Sequence, residues 1–368
     1  MKIAILSSHT SSLFWFRMDM MKHFKENGHI VIALGSEPES KWKMKFGEHD
    51  IEYKQIYVER NGMNPFKDLK TLNALDKFMR KERPDKVFAY QAKTVIYGSI
   101  AAKMNKITEF YPLIAGLGSI FRGQDFKSKI VKSIMKIEYR IACKYSKRVM
   151  FQNQDDKNEF IQNGLLKNSK TALINGSGVN LDMFKPVPLP QIPTFLFIGR
   201  LIKDKGLMEY LEACKVLKTK NPEVRCMLVG PYDSNPSAIK PDDLAPYINS
   251  GIVEYFGEQD DVRPYISQCS VYVLPSYHEG TPKTVLEAMA MGRAIITSDA
   301  PGCRETVTDS VNGYLVPVHD VQGLINKMEY MASNPEVCKS MGIESLQIAE
   351  SKYDVKIVNK SIMEIMGL

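Results

Sequence analysis

Two short segments of this 368-residue chain combine residue types suited to holding a charged, hydroxyl-rich ligand. The first, Gly199-Arg200-Leu-Ile-Lys203-Asp-Lys205-Gly206, follows an apolar run at 194–198 and precedes a helical pattern. A glycine at a strand's carboxyl end, then cations, then a helix N-terminus make an anion site, because backbone N–H groups and the positive dipole end face the ligand. Arg200 suits bidentate contact with phosphate oxygens, and Lys205 supplies a compact point charge. A basic surface turn has the same composition. The second segment follows the run 271–274 and contains Glu279-Gly280-Thr281-Pro282, then Glu287 and Gly292. Pro282 suits the first turn of a helix. That leaves Glu279 in the loop at the strand end and Glu287 inside the helix. Carboxylates grip hydroxyls while cations and helix dipoles grip diphosphate, so the two segments together suit a sugar nucleotide. Taken alone, the glutamates read as a solvated loop residue and a partner of the helix dipole.

The elements that must position these residues are legible as alternating runs. In the first half, strands are expected at 2–6, 30–34, 53–58, 86–90, 110–114, 148–153 and 171–174. In the second half they are expected at 194–198, 224–229, 253–256, 271–274, 294–297 and 314–316. Between them, segments such as 206–219 and 283–291 place apolar residues three and four apart. Strands alternating with helices at this rhythm predict an α/β protein of two doubly wound parallel sheets. Prolines at 186, 188, 190 and 193 form a stiff connector between the halves. The expected division is 1–185, then 186–345, with a last helix in 346–368 returning to the first domain. Ligands of such sheets bind beyond the strands' carboxyl ends, which makes a cleft between the two domains the expected site.

Composition is that of a globular protein, 44% hydrophobic and 25% charged, which excludes fibrous and wholly disordered classes. No run approaches the ~18 apolar residues of a membrane span, and the N-terminal run turns polar at Ser7, too early for a signal peptide. Six scattered cysteines without a C-x-x-C pair fit free thiols in a reducing cytoplasm. The net charge of +7 is uneven: residues 1–185 hold 32 basic and 19 acidic residues, and the remainder 17 and 23. Only the first half is therefore expected to face a polyanion.

The ordered motifs resemble glycosyltransferase family 4, retaining enzymes of the two-domain GT-B fold in which the sheets face each other across a cleft. The likeness spans essentially the whole chain. It is carried by Gly176-Ser-Gly178 through Asp182, Gly199-Arg200 to Lys205-Gly206, Val229-Gly230, Glu279-Gly280-Thr281-Pro282 to Glu287, Gly302-Cys-Arg-Glu305, and Asn312-Gly313 to Pro317. The resemblance implies that Arg200 and Lys205 hold the donor diphosphate beside Gly199, and that Glu287 binds the ribose. It places Glu279 against the transferred sugar, Thr281 and Pro282 near the phosphates, and Gly230 and the loop after Gly257 at the nucleobase. Glu279, Arg200 and Lys205 are then the expected catalytic residues. No Asp-x-Asp motif occurs, so these cations are expected to stand in for a divalent metal, with no cofactor required.

The first half departs from the family in two places. The loop Ser7-Ser8-His9 lacks the glycine pair many relatives carry there, although Ser and Thr still offer N–H and hydroxyl groups. Ala115 stands where relatives often have histidine, so no acceptor base is assigned, and His9 and His278 are incidental by composition. Arg17 follows an aromatic cluster and is a candidate for an acceptor or leaving-group phosphate; an exposed helix arginine would read the same way. Gly116-Leu-Gly118 resembles the subset building lipid-linked glycans.

From Phe126 to Arg148 apolar residues at 126, 130, 134, 137, 141 and 145 form one helix face, expected to pack on the sheet. Lys132, Lys136, Arg140 and Lys144 then form a cationic ridge for anionic lipid or an acceptor diphosphate, unless it is an ordinary solvated face. Trp42 among Lys41, Lys43 and Lys45 is a second expected membrane contact.

The resulting expectation is a peripheral enzyme on the inner face of the cell membrane. It moves a sugar, expected to be an N-acetylhexosamine, from a UDP-sugar donor to an undecaprenyl-diphosphate-linked saccharide in bacterial surface-glycan or N-glycan assembly. A UDP-sugar 2-epimerase of the same fold is the alternative within enzymes. A nucleic-acid binder is the third reading; it calls for base-stacking aromatics among the cations, and 126–148 alternates lysine with aliphatic residues instead, so no nucleic-acid partner is expected.

Overall fold

The computed structural model describes all residues except 60–63, 117–125, 234 and 236, and the side chains of 126–128. The chain forms two compact units. Met1–Ser177 with Val355–Leu368 make one, and Gly178–Asp354 the other.

In the first unit the strands are β1 (Lys2–Leu6), β2 (Ile30–Gly35), β3 (Glu52–Gln55), β4 (Lys86–Tyr90), β5 (Phe110–Ile114), β6 (Val149–Phe151) and β7 (Thr171–Leu173). The helices are α1 (Thr10–Glu26), α2 (Glu39–Gly47), α3 (Pro65–Glu82), α4 (Ala92–Met104), α5 (Phe126–Tyr145) and α6 (Gln154–Gln162). The sheet is parallel throughout, in the order β3-β2-β1-β4-β5-β6-β7, with Ile5 level with Ala33 on one side and Phe88 on the other. Strands buried on both faces need continuous apolar runs, which is how Ile3-Ala-Ile-Leu reads. Alternation then sends Ile3, Ile5, Phe88 and Tyr90 to one core and Ala4, Leu6, Val87 and Ala89 to the other.

The second unit repeats the plan with β8 (Thr194–Ile198), β9 (Arg225–Val229), β10 (Glu254–Tyr255), β11 (Val271–Leu274), β12 (Ala294–Ser298) and β13 (Gly313–Val316). Its helices are α7 (Leu207–Lys220), α8 (Pro241–Asn249), α9 (Arg263–Ile266), α10 (Lys283–Ala290), α11 (Val321–Ser333) and α12 (Pro335–Ile348). The parallel order is β10-β9-β8-β11-β12-β13, in which Leu196 lies level with Met227 and Tyr272. The last helix, α13 (Val355–Met366), packs its Val358, Ile362, Met363 and Met366 into the first unit's core. Lys86 Nζ and Tyr111 OH both donate to the Met366 carbonyl, at 2.6 and 3.1 Å.

The division differs from 185/186 because the prolines belong to the second unit's surface. Buried Arg293 donates from Nε to Ile266 O at 3.0 Å and from its terminal nitrogens to Pro188 O and Ser267 O at 3.3 Å. Leu189, Pro190 and Pro193 close over Phe195, Met331 and Cys338. The chain crosses between units at two neighbouring points, Val179 N donating to Tyr353 O at 2.8 Å. Residues 346–354 stay with the second unit. The expected strand 53–58 ends at Gln55, although Ile56 and Val58 remain buried after leaving the sheet.

Helix α5 is rotated relative to expectation. Its buried line is Tyr139, Ala142 and Cys143, whereas Ile130, Ile134, Ile137 and Ile141 are 38–58% exposed. Both lines satisfy a spacing of three and four. The narrow aromatic-and-small line fits the core, where Tyr139 meets the Phe160 ring edge-on at 5.2 Å. The basic residues turn toward α6: Lys136 Nζ donates to Asn163 Oδ1 at 2.6 Å, Arg140 reaches the Gly164 and Asn163 carbonyls, and Lys132 lies 3.8 Å from Glu159. Lys144 is exposed. Trp42 is also not on the surface; it is buried against Phe14 and Phe46, with its indole N–H donating to Glu37 at 2.9 Å.

Candidate functional site

In a doubly wound sheet the loops diverge where strand order turns back, leaving a crevice at the carboxyl ends. In the second unit that place lies between β8 and β11. The loop 199–206 leaves β8 and the loop 275–282 leaves β11, so both sequence-selected segments border it.

Glycines let these loops approach. A Cβ on Gly206, which has φ +71°, would lie 2.0 Å from the Pro275 carbonyl oxygen, so only glycine joins the two loops there. Asp204 O accepts from Tyr277 N at 2.9 Å and from Ser276 Oγ at 3.1 Å, which binds the loops further. Gly230, at the end of β9, sits so close to Gly199 that a Cβ would lie 1.8 Å from its carbonyl oxygen. Its N–H donates to Gly257 O at 2.8 Å and its carbonyl accepts from Tyr255 OH at 2.9 Å. Beside it, half-exposed Tyr232 meets Tyr255 edge-on at 5.8 Å. Gly302 packs against the Glu279 and Gly280 carbonyls, and Glu279 N donates to Pro301 O at 2.9 Å. The carboxylate-bearing loop is thus held from both sides.

Among the described residues, three cation–carboxylate pairs involve these two loops and the start of α10. Lys205 Nζ donates to Glu279 Oε1, both side chains being largely buried. Arg200 Nη1 donates to Asp233 Oδ2 at 2.9 Å. Lys283 Nζ lies 3.7 Å from Glu287 Oε1. Burial raises the Glu287 carboxyl above its ordinary range, and Lys283 opposes that shift. Helices α7 and α10 both begin here, at Gly206 and Pro282, without a side-chain cap on their N–H groups. Uncapped helix starts leave backbone N–H groups available here, and a phosphate entering this end of the sheet competes with Glu279 for Lys205.

The structure therefore brings Gly199, Arg200, Lys205, Glu279, Gly280, Thr281, Pro282 and Glu287 to one end of one sheet, with Gly230 and Gly257 at its flank. Thr281 is buried, and Pro282 caps α10 instead of lying in its first turn. Lys203 lines a different groove of about 590 Å³ with Met208, Ile239 and Tyr247. Two partners were missed by sequence reading. Lys283 is signalled by its four-residue spacing from Glu287, whereas Asp233 carries no local signal. Among the described residues no group of three His, Cys, Asp or Glu side chains is placed to hold a metal ion, and all six cysteines are buried and free.

In the first unit the corresponding turn-back lies between β1 and β4. Gly116, with φ +102°, follows β5 nearby, and Gly118 lies outside the described residues. Arg17 is buried under α1, not exposed on it. No helix among the described residues is long and apolar enough to cross a membrane.

Comparison with known proteins agrees with this layout. The family described as "Glycosyl transferases group 1" matches residues 192–334, and that described as "Glycosyl transferase 4-like" matches residues 2–153. The chain is 30% identical to the N,N'-diacetylbacillosaminyl-diphospho-undecaprenol alpha-1,3-N-acetylgalactosaminyltransferase of Campylobacter jejuni, over 99% of this chain and 98% of that one. It is 27% identical to the UDP-Gal:alpha-D-GlcNAc-diphosphoundecaprenol alpha-1,3-galactosyltransferase of Escherichia coli, over 71% of this chain and 70% of that one. Among solved structures, Anabaena HepE in complex with UDP superposes with a TM-score of 0.79 at 18% identity, covering both chains fully.

Proposed function

This chain belongs to glycosyltransferase family 4 and has the GT-B fold; from that premise we propose that it moves an N-acetylhexosamine from a UDP-sugar to an undecaprenyl-diphosphate-linked saccharide, with retention at the anomeric carbon. That it is a hexosyltransferase follows from the family; the donor, acceptor and stereochemistry are the proposal. One observation carries it. A lysine and a glutamate from the two loops flanking the turn-back of the sheet meet as a pair, beside two uncapped helix starts and Arg200. The acceptor class is supported by the relatives in Campylobacter jejuni and Escherichia coli, both named for diphospho-undecaprenol substrates.

The chemistry follows from charge development. As the nucleotide departs, negative charge grows on the distal phosphate oxygen and positive character on the anomeric carbon. Lys205, Arg200 and the starts of α7 and α10 stabilise the first, and Glu279, released from Lys205, faces the second. Each charge-assisted hydrogen bond to phosphate contributes about 1.5–3 kcal/mol. Glu287, on the buried side of α10, accepts from the ribose hydroxyls. With these cations in place the reaction needs no divalent ion, and a chelator leaves the rate unchanged.

The same reading places the enzyme on the inner face of the cell membrane. The isoleucine stripe of α5, flanked by Lys129 and Lys144, enters the head-group region, and the cations hold anionic lipid. A panel of UDP-sugars with undecaprenyl-diphosphate-linked acceptor, followed by mass spectrometry, tests the function. An acceptor gaining one N-acetylhexosamine is expected, and NMR of its anomeric proton reads the configuration. Sugar inverted at C2, with no acceptor consumed, would instead identify a 2-epimerase.

A further inference from the structure

The pair between Lys205 and Glu279 ties the loop 275–282 to the start of α7, and a phosphate that takes Lys205 undoes that tie. Glu279 must then keep its place without its ion-pair partner. Backbone bonds help, since Tyr277 N donates to Asp204 O and Glu279 N to Pro301 O, both at 2.9 Å. A second side-chain tie runs from Tyr277 to Glu209 and His319, neither of which lies in a donor motif.

Glu209 sits in the first turn of α7, where the positive end of the helix supports a carboxylate. Its Oε1 accepts from Tyr277 OH at 2.6 Å and faces His319 Nδ1 at 3.1 Å. A carboxylate only accepts, so Nδ1 is the protonated nitrogen in this contact. The imidazole also lies against the phenol ring, with centroids 4.1 Å apart and planes at 60°. The Glu209 side chain is 12% exposed, and its Oε2 is enclosed with no hydrogen-bond partner among the described residues. Both donors therefore converge on one oxygen, and losing either leaves a largely buried carboxylate poorly satisfied.

The third member is held as firmly. His319 has φ +67°, a left-handed conformation that is unfavourable for a residue with a Cβ and persists where neighbouring contacts fix it. Here Asp320 N donates to Pro317 O and Val321 N to His319 O, both at 3.1 Å, and Asp320 caps α11 at Gly323 N. A defined turn after β13 thus presents the imidazole to Glu209.

We infer that Tyr277, Glu209 and His319 are positioning residues. They keep the Glu279 loop in register with α7 once the donor diphosphate has taken Lys205, so that the carboxylate stays on the transferred sugar. Only the passage of Lys205 to a phosphate rests on the proposed transfer reaction; the three-residue tie does not.

Hydrogen exchange over 275–282, read by mass spectrometry, tests the tie without any transfer. Tyr277→Phe keeps the ring and removes the hydroxyl. It is expected to speed exchange of the amides at 277 and 279 about tenfold, and by the same factor again in the Lys205→Ala protein, because the tie does not depend on the ion pair. If the second substitution changes nothing in Lys205→Ala, the inference is overturned. His319→Asn tolerates the left-handed backbone and keeps a donor, so it exchanges within about threefold of wild type. His319→Gly suits that backbone but offers no donor, so it exchanges faster while its melting midpoint stays within about 2 °C.

Kinetics with UDP-sugar and lipid-linked acceptor read the consequence. Tyr277→Phe and His319→Gly lower kcat at least about tenfold with both KM values within about twofold, since a misplaced carboxylate is felt in the transition state and not in binding. His319→Asn restores kcat to within about threefold of wild type. A folded Tyr277→Phe enzyme with unchanged kcat overturns the inference, because the cluster is then a stabilising contact alone. If the wild type transfers no sugar, or Lys205→Ala transfers it undiminished, the donor reading has failed, and the exchange measurement still decides the tie.

Discussion

Replacing Lys205 by alanine separates the lysine's part in holding the loops from its part in the reaction. Its ammonium pairs with Glu279, and the two side chains are 20% and 13% exposed. Breaking a fully buried pair costs about 3–5 kcal/mol. Water reaches both groups here, so the expected loss of stability is about 1–2 kcal/mol. At about 2–4 °C per kcal/mol for a unit of this size, the midpoint falls by about 2–8 °C. The transition state loses more, because a donor aimed at developing oxyanion charge is worth about 2.7–4 kcal/mol, or 10²–10³ in kcat. The double variant Lys205→Ala/Glu279→Gln separates the two terms. It removes the stranded carboxylate and regains most of the heat stability, but it regains none of the transfer. Calorimetry beside a mass-spectrometric transfer assay reads both. A folded Lys205→Ala enzyme working within threefold of wild type would refute the reasoning.

Three further outcomes are expected. Because burial raises the Glu287 carboxyl, the native state keeps a proton that the unfolded chain has already lost, so its contribution to stability falls as pH climbs above about 4.5 toward the raised value. Glu287→Gln therefore gains on wild type in denaturant melts as pH rises above about 4.5, and parallel pH profiles would contradict the assignment. Arg293→Met strands the carbonyls of Pro188, Ile266 and Ser267 and costs about 3 kcal/mol, seen as earlier melting of the second unit; an unchanged midpoint would show those bonds to be idle. Serine at Ile134, Ile137 and Ile141 together removes about 1 kcal/mol of lipid burial per site, so flotation with anionic vesicles weakens about 100-fold with the melting point unaltered. Equal flotation would place the membrane contact elsewhere.

Sheets and loops were legible in the sequence because a parallel strand buried on both faces has little freedom in composition, as 2–6 and 194–198 show. The loops that carry the candidate site residues were legible for a related reason: Gly206 and Gly230 sit where no side chain fits, and these glycines punctuate the motifs. Helix α5 was misread because two apolar lines share one periodicity. Hydrophobicity favours the isoleucines, but shape favours Tyr139, Ala142 and Cys143, and only the surrounding helices decide. Burial of Arg17 is set by Phe88 and Tyr90, some seventy residues away. The Arg200–Asp233 pair is likewise non-local, spanning 33 residues. Pairing of Lys205 with Glu279 also escaped, since each read more naturally as a ligand group than as the other's partner.

The docking of α13 bears on how the polypeptide matures. The strands of the first unit wait for residues 355–368 to be made before one side of their sheet is covered, and by then all of residues 178–354 has been made. Removal of α13 should therefore spare the unit 178–354 and leave Ile3, Ile5 and Phe88 of the other unit less well shielded, making it a chaperone client.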